Sequence, residues 1–383
     1  MDLWSLPLSL AHSNSTQNAC GDNDWAVPLG RYINQCIKAG LNRTEAPNGD
    51  RLRLISEGAT FRVYRCREMT YEHDGTHTSR ICVLKLLRFR PRGVDTDRFP
   101  NDGRYRHAQL ESLVKEVSVL TVPTLQHHEN IIQLLAYGFG TELGDNVDED
   151  LRSAQPFLLV ELATQGSMRE FLAAHPSMDN SDLRDLFLDV SSGLEALHAC
   201  GVVHGDLKLD NILVCQDSRG RFTAKLSDFS HSITSKVEST YLGTEKYMPP
   251  ELFGIQVKPI FQHEQLLACD MWCLGVCIFE ALVGKDSDTA ASWQHSPAEL
   301  ILDDDDLVAK LSLLPVDRFN LWTKVLQSLL HTEPMQRANA RCIRSLLDAE
   351  AGKVTPSVGA VDDSILSFLE VSAPNLIVSG NLD

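Results

Sequence analysis

The sequence predicts an α+β protein in which a small strand-rich region precedes a larger helical region. Short runs of β-branched and aromatic residues fill most of the segment from Arg51 to about Gly140. After Gly166, apolar residues recur at the helical period in several long segments. The chain has 383 residues, of which 43% are hydrophobic and 23% are charged. This is the composition of a soluble globular protein with a sizeable core.

The strand-rich region follows a weakly patterned segment, residues 1–40, in which residues 13–24 predict a loop or a disordered arm. An apolar stripe at helical spacing predicts one helix over residues 108–121. An acidic run predicts an exposed loop over residues 141–156. The predicted strands are Arg53–Ile55, Phe61–Arg67, Arg80–Leu87 and Phe157–Leu162.

The helical region begins after a junction near residues 161–166 and contains five segments with helical periodicity. The four aspartates at 303–306 predict a solvated turn or a helix start. The predicted helices are Met168–Ala174, Ser181–Ala199, Asp270–Val283, Leu307–Leu313 and Phe319–Leu330.

Charge and cysteine usage exclude several classes of protein. The net charge of −17 disfavours a general nucleic-acid scaffold. Ten cysteines occur without a CxxC pair, so we expect neither a zinc site nor a disulfide framework, but a reduced intracellular protein, most simply a cytoplasmic one. The spacing of Cys269, Cys273 and Cys277 fits a buried helix better than a metal-binding face. The apolar start Leu3–Ala11 lacks the basic flank of a signal peptide, and no apolar run approaches transmembrane length, so no membrane partner is expected.

Basic residues are concentrated in one segment of the strand-rich region. Two interpretations are open, a docking surface for an acidic partner and a solvated loop face, and the solvated face is favoured. The arginines concerned are those at positions 88, 90, 92, 98, 104 and 106.

One loop combines the polar residues that phosphoryl transfer requires. Residues Val202–Val214 begin and end with short apolar runs, and between these runs lie Asp206 and Asn211, five positions apart, with Lys208 between them. An apolar frame can hold such a loop rigid, so that the carboxylate orients a hydroxyl and the amide oxygen holds a hard cation. Either Asp206 or Asn211 alone is equally well explained as a turn residue.

Three features elsewhere extend this site. Asp228 ends a strand-like run and can reach a cation held by Asn211. Lys85 lies within an apolar strand, where a lysine is costly unless paired, and Glu116 on the predicted helix is its candidate partner. Gly58 lies between two strands, where glycine lets the backbone approach a phosphate. Taken singly, Asp228 also fits a turn, and Lys85 also fits an edge strand with its ammonium in solvent.

These residues, in their order along the chain, resemble the eukaryotic protein kinase family over roughly residues 50–350. Lys85 matches the lysine of the third strand, and Glu116 matches the helix glutamate that pairs with it. Arg337 lies where the family places the arginine that pairs with Glu251. Four segments match family patterns: His204–Asn211 resembles H-R-D-L-K-x-x-N, Asp228–Ser230 resembles D-F-G, Gly243–Glu251 resembles G-T-x-x-Y-x-A-P-E, and Asp270–Gly275 resembles D-x-W-S-x-G.

The resemblance implies a bilobal protein kinase-like fold with a strand-rich N-lobe containing one main helix and a larger helical C-lobe. The implied domain covers residues 50–350, with the N-lobe at about 50–160, the hinge at about 161–166 and the C-lobe at about 167–350. An N-terminal extension, residues 1–45 and partly disordered, precedes it, and a C-terminal tail, residues 352–383, follows it.

The resemblance also implies roles in transfer from MgATP to a protein Ser or Thr. Asp206 would orient the substrate hydroxyl and accept its proton, and Lys208, as in Ser/Thr kinases, would stabilise the transferring group. Asn211 and Asp228 would hold Mg²⁺. Lys85, steadied by Glu116, would contact the α and β phosphates. The other implied ATP contacts are the hinge backbone at Glu161 and Ala163, the phosphate turn at Ser56 and Gly58, and the apolar side chains of Ile55, Val63, Val83 and Leu213.

Three departures from the family pattern bear on function. Ser56, Gly58 and Phe61 occupy the three glycine positions of the phosphate loop, so only the middle glycine is present. Gly205 replaces the arginine that meets a phosphorylated activation loop in many kinases, which predicts activity independent of such phosphorylation. Ser230 replaces the glycine of D-F-G and is expected to restrict the backbone there.

Two other functions are compatible with these departures. The first is an ATP-binding pseudokinase that serves as a scaffold. The second is a small-molecule phosphotransferase, because His204–Asp206 is similar to the H-G-D loop of such enzymes. The complete set of catalytic residues favours an active Ser/Thr protein kinase over the first, and Lys208 together with the Gly243–Glu251 segment favours it over the second.

Overall fold

The computed structural model describes residues 26–45, 52–71, 77–88, 103–140, 155–234, 241, 243–252, 260–283 and 319–350. These residues form a strand-rich N-terminal lobe followed by a helical C-terminal lobe. The predicted α+β fold class with two lobes is confirmed.

The N-terminal lobe is a six-stranded sheet packed against two helices. Its elements are α1 (Ala26–Lys38), β1 (Asn42–Glu45), β2 (Arg53–Glu57), β3 (Phe61–Tyr71), β4 (His77–Leu87), α2 (Gly103–Leu120), β5 (Leu134–Gly140) and β6 (Gln155–Glu161). The strands lie in the order β1-β5-β6-β4-β3-β2. β1 runs parallel to β5, and the other neighbours are antiparallel.

The alternation of side chains along β4 positions the lysine of the site. Cys82, Leu84 and Leu86 belong to a buried cluster on one face of the sheet. Val83 and Leu87 belong to the main core, which also contains the apolar stripe of α2. Because successive strand residues point to opposite faces, Lys85 lies on the face that packs against α2.

The C-terminal lobe consists of helices and one two-stranded sheet. Its elements are α3 (Met168–Ala174), α4 (Asn180–Ala199), β7 (Ile212–Gln216), β8 (Phe222–Leu226), α5 (His263–Val283), α6 (Phe319–Leu329) and α7 (Ala340–Glu350). A capping box between Ser167 and Glu170 starts α3, and the Asp179 side chain caps α4 by accepting from the Asp182 amide. These caps fix where the chain leaves the hinge and enters the helical lobe.

The predicted elements match the observed ones closely, with differences at their ends. The helix predicted at 108–121 begins at Gly103, and the helix predicted at Asp270–Val283 begins seven residues earlier, at His263. The described elements that are not predicted are α1, β1, β5 and α7. The predicted helix Leu307–Leu313, the arm at 13–24 and the tail at 352–383 lie outside the described residues.

α5 is the central helix of the C-terminal lobe. Residues His263–Leu282 are long and apolar enough to cross a membrane, but 78% of that stretch is buried inside the protein. Cys269, Cys273 and Cys277 are all buried along it, as the cysteine spacing predicts for a core helix. Burial in the core therefore accounts for the apolar character of α5.

Candidate active site

The loop that carries Asp206 is anchored on a buried carboxylate from α5. Asp270 is fully buried, and its Oδ2 and Oδ1 accept the backbone N–H groups of His204 at 2.7 Å and Gly205 at 3.1 Å. His198 Nε2 and the Tyr241 hydroxyl also contact this carboxylate, at 3.0 and 3.2 Å. Burial raises the pKa of Asp270, but the His198 contact and the nearby histidines outweigh it, so the pKa lies below its ordinary value. Asp270 thus fixes the loop backbone immediately before Asp206.

Both carboxylate oxygens of Asp206 are held by neighbouring groups. Oδ1 accepts the Thr244 backbone N–H at 2.8 Å and the Thr244 hydroxyl at 2.6 Å. Oδ2 accepts from Lys208 Nζ at 2.6 Å, and the same ammonium donates to Thr244 Oγ1 at 2.9 Å. With the residue only 6% exposed, this arrangement gives a fixed proton acceptor beside a cation.

Asn211 and Asp228 are joined through the backbone. The Asn211 amide nitrogen donates to the Asp206 carbonyl at 2.8 Å, so its amide oxygen is left to accept from or coordinate another group. The Asn211 carbonyl accepts both the backbone N–H and the hydroxyl of Ser227, each at 2.9 Å. Ser227 directly precedes Asp228, so these hydrogen bonds set the two predicted magnesium ligands side by side.

Asp228 is held in an unusual backbone conformation, with φ of 62°. Burial raises its pKa, but the positive charge of Lys85 and a hydrogen bond from Ser230 outweigh burial, and the pKa is lowered. The Ser230 hydroxyl donates to Asp228 Oδ1 at 2.7 Å. Asp228 therefore remains an ionised carboxylate, the type of oxygen group that Mg²⁺ prefers. In the part of the chain that the structure describes, no cluster of three or more His, Cys, Asp or Glu side chains could hold a metal.

Lys85 forms an ion pair with Glu116 from α2, and the carboxylate is fully buried. The Lys85 ammonium also lies 4.5 Å from the centre of the Phe61 ring. Burial lowers the pKa of Lys85, but the charges of Glu116 and Asp228 outweigh it and raise the pKa above its ordinary value. Lys85 is thus a fixed cation on the same side of the sheet as Asp228.

The turn between β2 and β3 is closed by its own backbone and by Arg88. The Gly58 N–H donates to the Phe61 carbonyl at 2.9 Å, and Arg88 Nη1 donates to the Gly58 carbonyl at 2.7 Å. Arg88 is 4% exposed and also pairs with Glu57 at 3.3 Å. The interpretation of this arginine as part of a solvated face is therefore wrong. Among the other arginines of that basic segment, those at 90, 92 and 98 lie outside the described residues.

The chain between the lobes runs beside β7. The Gln165 N–H donates to the Val214 carbonyl at 3.0 Å, and the Val214 N–H donates to the Gly166 carbonyl at 2.9 Å. These bonds place Leu213 next to the predicted hinge. The Glu161 side chain is engaged by Lys225 Nζ at 2.8 Å and by the Gln133 N–H at 2.8 Å, and its own N–H donates to the Gln133 carbonyl at 3.0 Å.

The predicted apolar contacts differ in exposure. Val83 is buried, Val63, Ala163 and Leu213 are half-buried, and Ile55 is 51% exposed. Ile55 lies at an irregularity in the pairing of β2 with β3, between Leu54 and Ser56. An open apolar side chain at this position is consistent with one wall of a cleft between the lobes.

Comparison with known proteins gives a family for this arrangement. A family profile described as "Protein kinase domain" matches residues 52–346. The chain belongs to the protein kinase family. Relatives include the serine/threonine-protein kinase unc-51 of Caenorhabditis elegans, 28% identical over 45% of this chain and 19% of its own length. Aurora kinase C of mouse is 31% identical over 41% of this chain and 50% of its own length.

A longer match exists to mitogen-activated protein kinase kinase kinase 5 of Arabidopsis thaliana. It is 25% identical over 73% of this chain and 36% of its own length. The chain thus spans half or less of the length of these curated relatives.

A second, largely buried ion pair lies in the C-terminal lobe. Arg337 donates from both terminal nitrogens to the two carboxylate oxygens of Glu251, each at 2.7 Å, and its guanidinium lies 5.0 Å from the Trp272 ring centre. The pair lies where the kinase resemblance predicts it. It ties the end of the segment that contains Thr244 to the helical core.

Gly205 is required by the backbone of this kinase. Its φ is +81°, and a Cβ atom there would lie 2.3 Å from the His231 carbonyl oxygen. The residue that replaces the usual arginine is therefore also the one that lets the catalytic loop approach the chain after Asp228. Independence from activation-loop phosphorylation stays a prediction, because residues 235–240 and 242 of that segment lie outside the described residues.

Sequence reasoning does not predict the contacts of four residues in and around this site. Thr244 lies within the segment Gly243–Glu251, but its contact with Asp206 is not predicted because the two residues are 38 positions apart. Asp270 was noted for its motif alone, and Arg88 was assigned to solvent. Ser230, expected only to stiffen the backbone, instead hydrogen-bonds Asp228. In each case the missing information is a long-range or side-chain contact that periodicity does not report.

Proposed function

We propose that this protein is a Ser/Thr protein kinase that transfers the γ-phosphoryl group of ATP to a protein hydroxyl, with Mg²⁺ as cofactor. The observation that carries the proposal is the contact of one ammonium, Lys208 Nζ, with both Asp206 and Thr244, at 2.6 and 2.9 Å. This contact keeps a proton acceptor and a positive charge together at one place. Phosphoryl transfer needs both of these more than it needs covalent chemistry from the protein.

In the proposed reaction Asp206 orients the acceptor hydroxyl and takes its proton while the hydroxyl oxygen bonds to the γ-phosphorus. The bond between the γ-phosphorus and the bridging oxygen breaks, and ADP leaves with that electron pair. Lys208 stabilises the negative charge on the transferring group. Thr244 holds the Asp206 carboxylate in one orientation through two hydrogen bonds, so little reorganisation is needed.

The remaining residues hold the nucleotide in this proposal. Asn211 and Asp228 supply an amide oxygen and a carboxylate, which fit the one or two protein ligands that Mg²⁺ takes beside phosphates and water. Bound Mg²⁺ neutralises charge on the phosphates. Lys85, fixed by Glu116, contacts the phosphates from the sheet side.

The direct test is transfer from labelled ATP to a mixed protein substrate by the full chain with Mg²⁺, beside Asp206→Asn. We expect transfer by the natural chain and its loss in the variant. Equal background signals from both proteins, with ATP binding retained, would instead support the pseudokinase. Transfer only to a small alcohol would support the small-molecule phosphotransferase.

The proposed partner is a protein with an accessible Ser or Thr. We also propose the cytoplasm as its location, a proposal that the nine free cysteines of the described residues support because thiols persist in a reducing compartment. Fractionation of cells that express the tagged chain tests this location, and recovery in a secreted fraction would contradict it.

A further inference from the structure

Helix α1 lies outside the segment that matches the kinase family, which begins at residue 52, yet it packs on α2 of the N-terminal lobe. Its inward residues recur at helical spacing, with Leu29 and Ile33 half-buried against the core and Tyr32 and Cys36 fully buried. Ile37, one turn after Ile33 at the edge of this stripe, is 52% exposed. This is an amphipathic helix whose apolar stripe is used within the chain.

α1 contacts α2 and the residue that directly follows it, Thr121, on both sides of Glu116 along the chain. Arg31 Nη1 donates to the Glu111 carboxylate at 2.9 Å, and Gln35 Nε2 donates to Thr121 Oγ1 at 3.3 Å. Glu111 and Thr121 stand five positions before and five positions after Glu116. The contacts therefore bracket the residue that pairs with Lys85.

α1 is also tied to the sheet that carries Lys85. The buried Tyr32 hydroxyl donates to the Phe157 carbonyl on β6 at 2.9 Å, and its ring makes edge contacts with Tyr137 and Phe139 on β5, at 5.8 and 5.9 Å. The residue after Phe157, Leu158, lies directly opposite Lys85 in the pairing of β6 with β4. Helix α1 thus contacts both α2, which carries Glu116, and the sheet that carries Lys85.

We propose that α1, chiefly through Tyr32 and with help from Arg31, is a positioning element that holds Glu116 against Lys85. Tyr32 is the main contributor because it is buried and hydrogen-bonded, whereas the Arg31 side chain is 55% exposed and an exposed ion pair contributes little. The N-terminal segment of the chain thereby supports α2 directly. This support needs no contact with a phosphorylated activation loop, and Gly205 has no side chain that could make such a contact. This inference rests on the proposed kinase function.

The first experiment compares Tyr32→Ala with Ile37→Ala, the truncation of an exposed apolar side chain in the same helix, in the full chain. We expect Tyr32→Ala to lower kcat/KM for MgATP by between about tenfold and a hundredfold, because small misplacements of catalytic groups have effects of this size. Tyr32→Phe, which keeps the ring contacts, recovers most of the loss. Ile37→Ala leaves kcat/KM unchanged.

A second experiment separates positioning from simple destabilisation. If α1 acts through Glu116, then adding Tyr32→Ala to Glu116→Gln causes little further loss of activity per folded molecule. If the losses of activity caused by the two substitutions multiply, they are independent and the proposal is overturned. A Tyr32→Ala protein with a lower melting temperature but an unchanged kcat and KM for its folded fraction would also overturn it.

A third measurement does not depend on catalysis. Amide hydrogen exchange in α2 around Glu116 becomes faster in Tyr32→Ala, while exchange in β7 and β8 stays the same. Unchanged exchange in α2 overturns the positioning role. If the natural chain transfers no phosphate, the proposed kinase function fails, and faster exchange in α2 still establishes that α1 holds this helix.

Discussion

The loop His204–Asn211 and the turn between β2 and β3 serve the same step of the proposed reaction but are built differently. Around the loop, Asp206, Lys208 and Thr244 form a closed set of short hydrogen bonds anchored on the buried Asp270. The turn keeps one glycine, Gly58, and β2 beside it is largely exposed. The groups that act on the reacting atoms are thus tightly fixed, whereas the cover over the phosphates departs from the family pattern. We infer that the missing glycines of this turn change the affinity for ATP more than the rate of phosphoryl transfer.

The largest effect should come from the loop. Asp206→Asn keeps the shape but removes the proton acceptor, and we expect kcat to fall by about a thousandfold with little change in the affinity for ATP. Initial rates and nucleotide titrations measure the two quantities separately. Glu245→Gln, an exposed carboxylate in the neighbouring segment, serves as the control and stays fully active. Retention of a tenth or more of the activity by Asp206→Asn would show that another group accepts the proton.

Thr244→Val is the next largest change. It removes the hydroxyl that donates to Asp206 and accepts from Lys208, while the backbone N–H bond remains. We expect kcat to fall between about tenfold and a hundredfold, because the carboxylate and the ammonium lose their common partner. Thr244→Ser restores most of the rate. A change in KM for ATP alone would argue against the orienting role.

Gly205→Ala tests the junction of the loop with the chain after Asp228. A side chain at φ of +81°, with its Cβ 2.3 Å from the His231 carbonyl oxygen, forces the backbone to move. We expect a loss of about 2 kcal/mol in the free energy of unfolding, measured by denaturant titration. Gly220→Ala, at φ of +83° but with nothing closer than 4.0 Å, isolates the strain of the backbone angle from the clash. Equal losses in the two variants would mean that the clash relaxes without cost.

A smaller effect should come from the turn. Phe61→Leu keeps a buried apolar side chain but removes the ring that lies 4.5 Å from the Lys85 ammonium. We expect KM for ATP to rise about threefold with kcat unchanged, which corresponds to a contact of less than 1 kcal/mol. A fall in kcat without a change in KM would contradict the contrast between the two regions.

The phosphorylation-independent activity predicted from Gly205 can now be tested more cleanly. Alanine at Ser230 would disturb Asp228 directly, because the two side chains are hydrogen-bonded. The informative changes are therefore those further along the segment: Thr234→Ala, Ser235→Ala, Ser239→Ala and Thr240→Ala. We expect each to leave kcat within about twofold of the natural chain, because Gly205 offers no charged side chain to pair with a phosphate on this segment. Loss of activity in any one would restore a role for phosphorylation.

Much of the fold could be read from periodicity, because strands and helices with one buried face carry their pattern in the sequence. Lys85 was expected to pair with Glu116 because a lysine in an apolar strand needs a partner. Helix α1 escaped prediction because its stripe is short and stands next to a polar segment without pattern. The contact between Asp206 and Thr244, and the burial of Arg88, depend on which distant segments meet, and local sequence carries no signal for that.

The three cysteines of α5 have a practical consequence for spectroscopy. Burial raises the pKa of Cys269, Cys273 and Cys277, so these thiols stay protonated and shielded from alkylating reagents. Of the cysteines within the described ranges, Cys200 alone is exposed, and it lies at the end of α4, four residues before His204. A maleimide dye should therefore attach there selectively among these cysteines in the native chain. Its fluorescence would report movements of the neighbouring loop in real time.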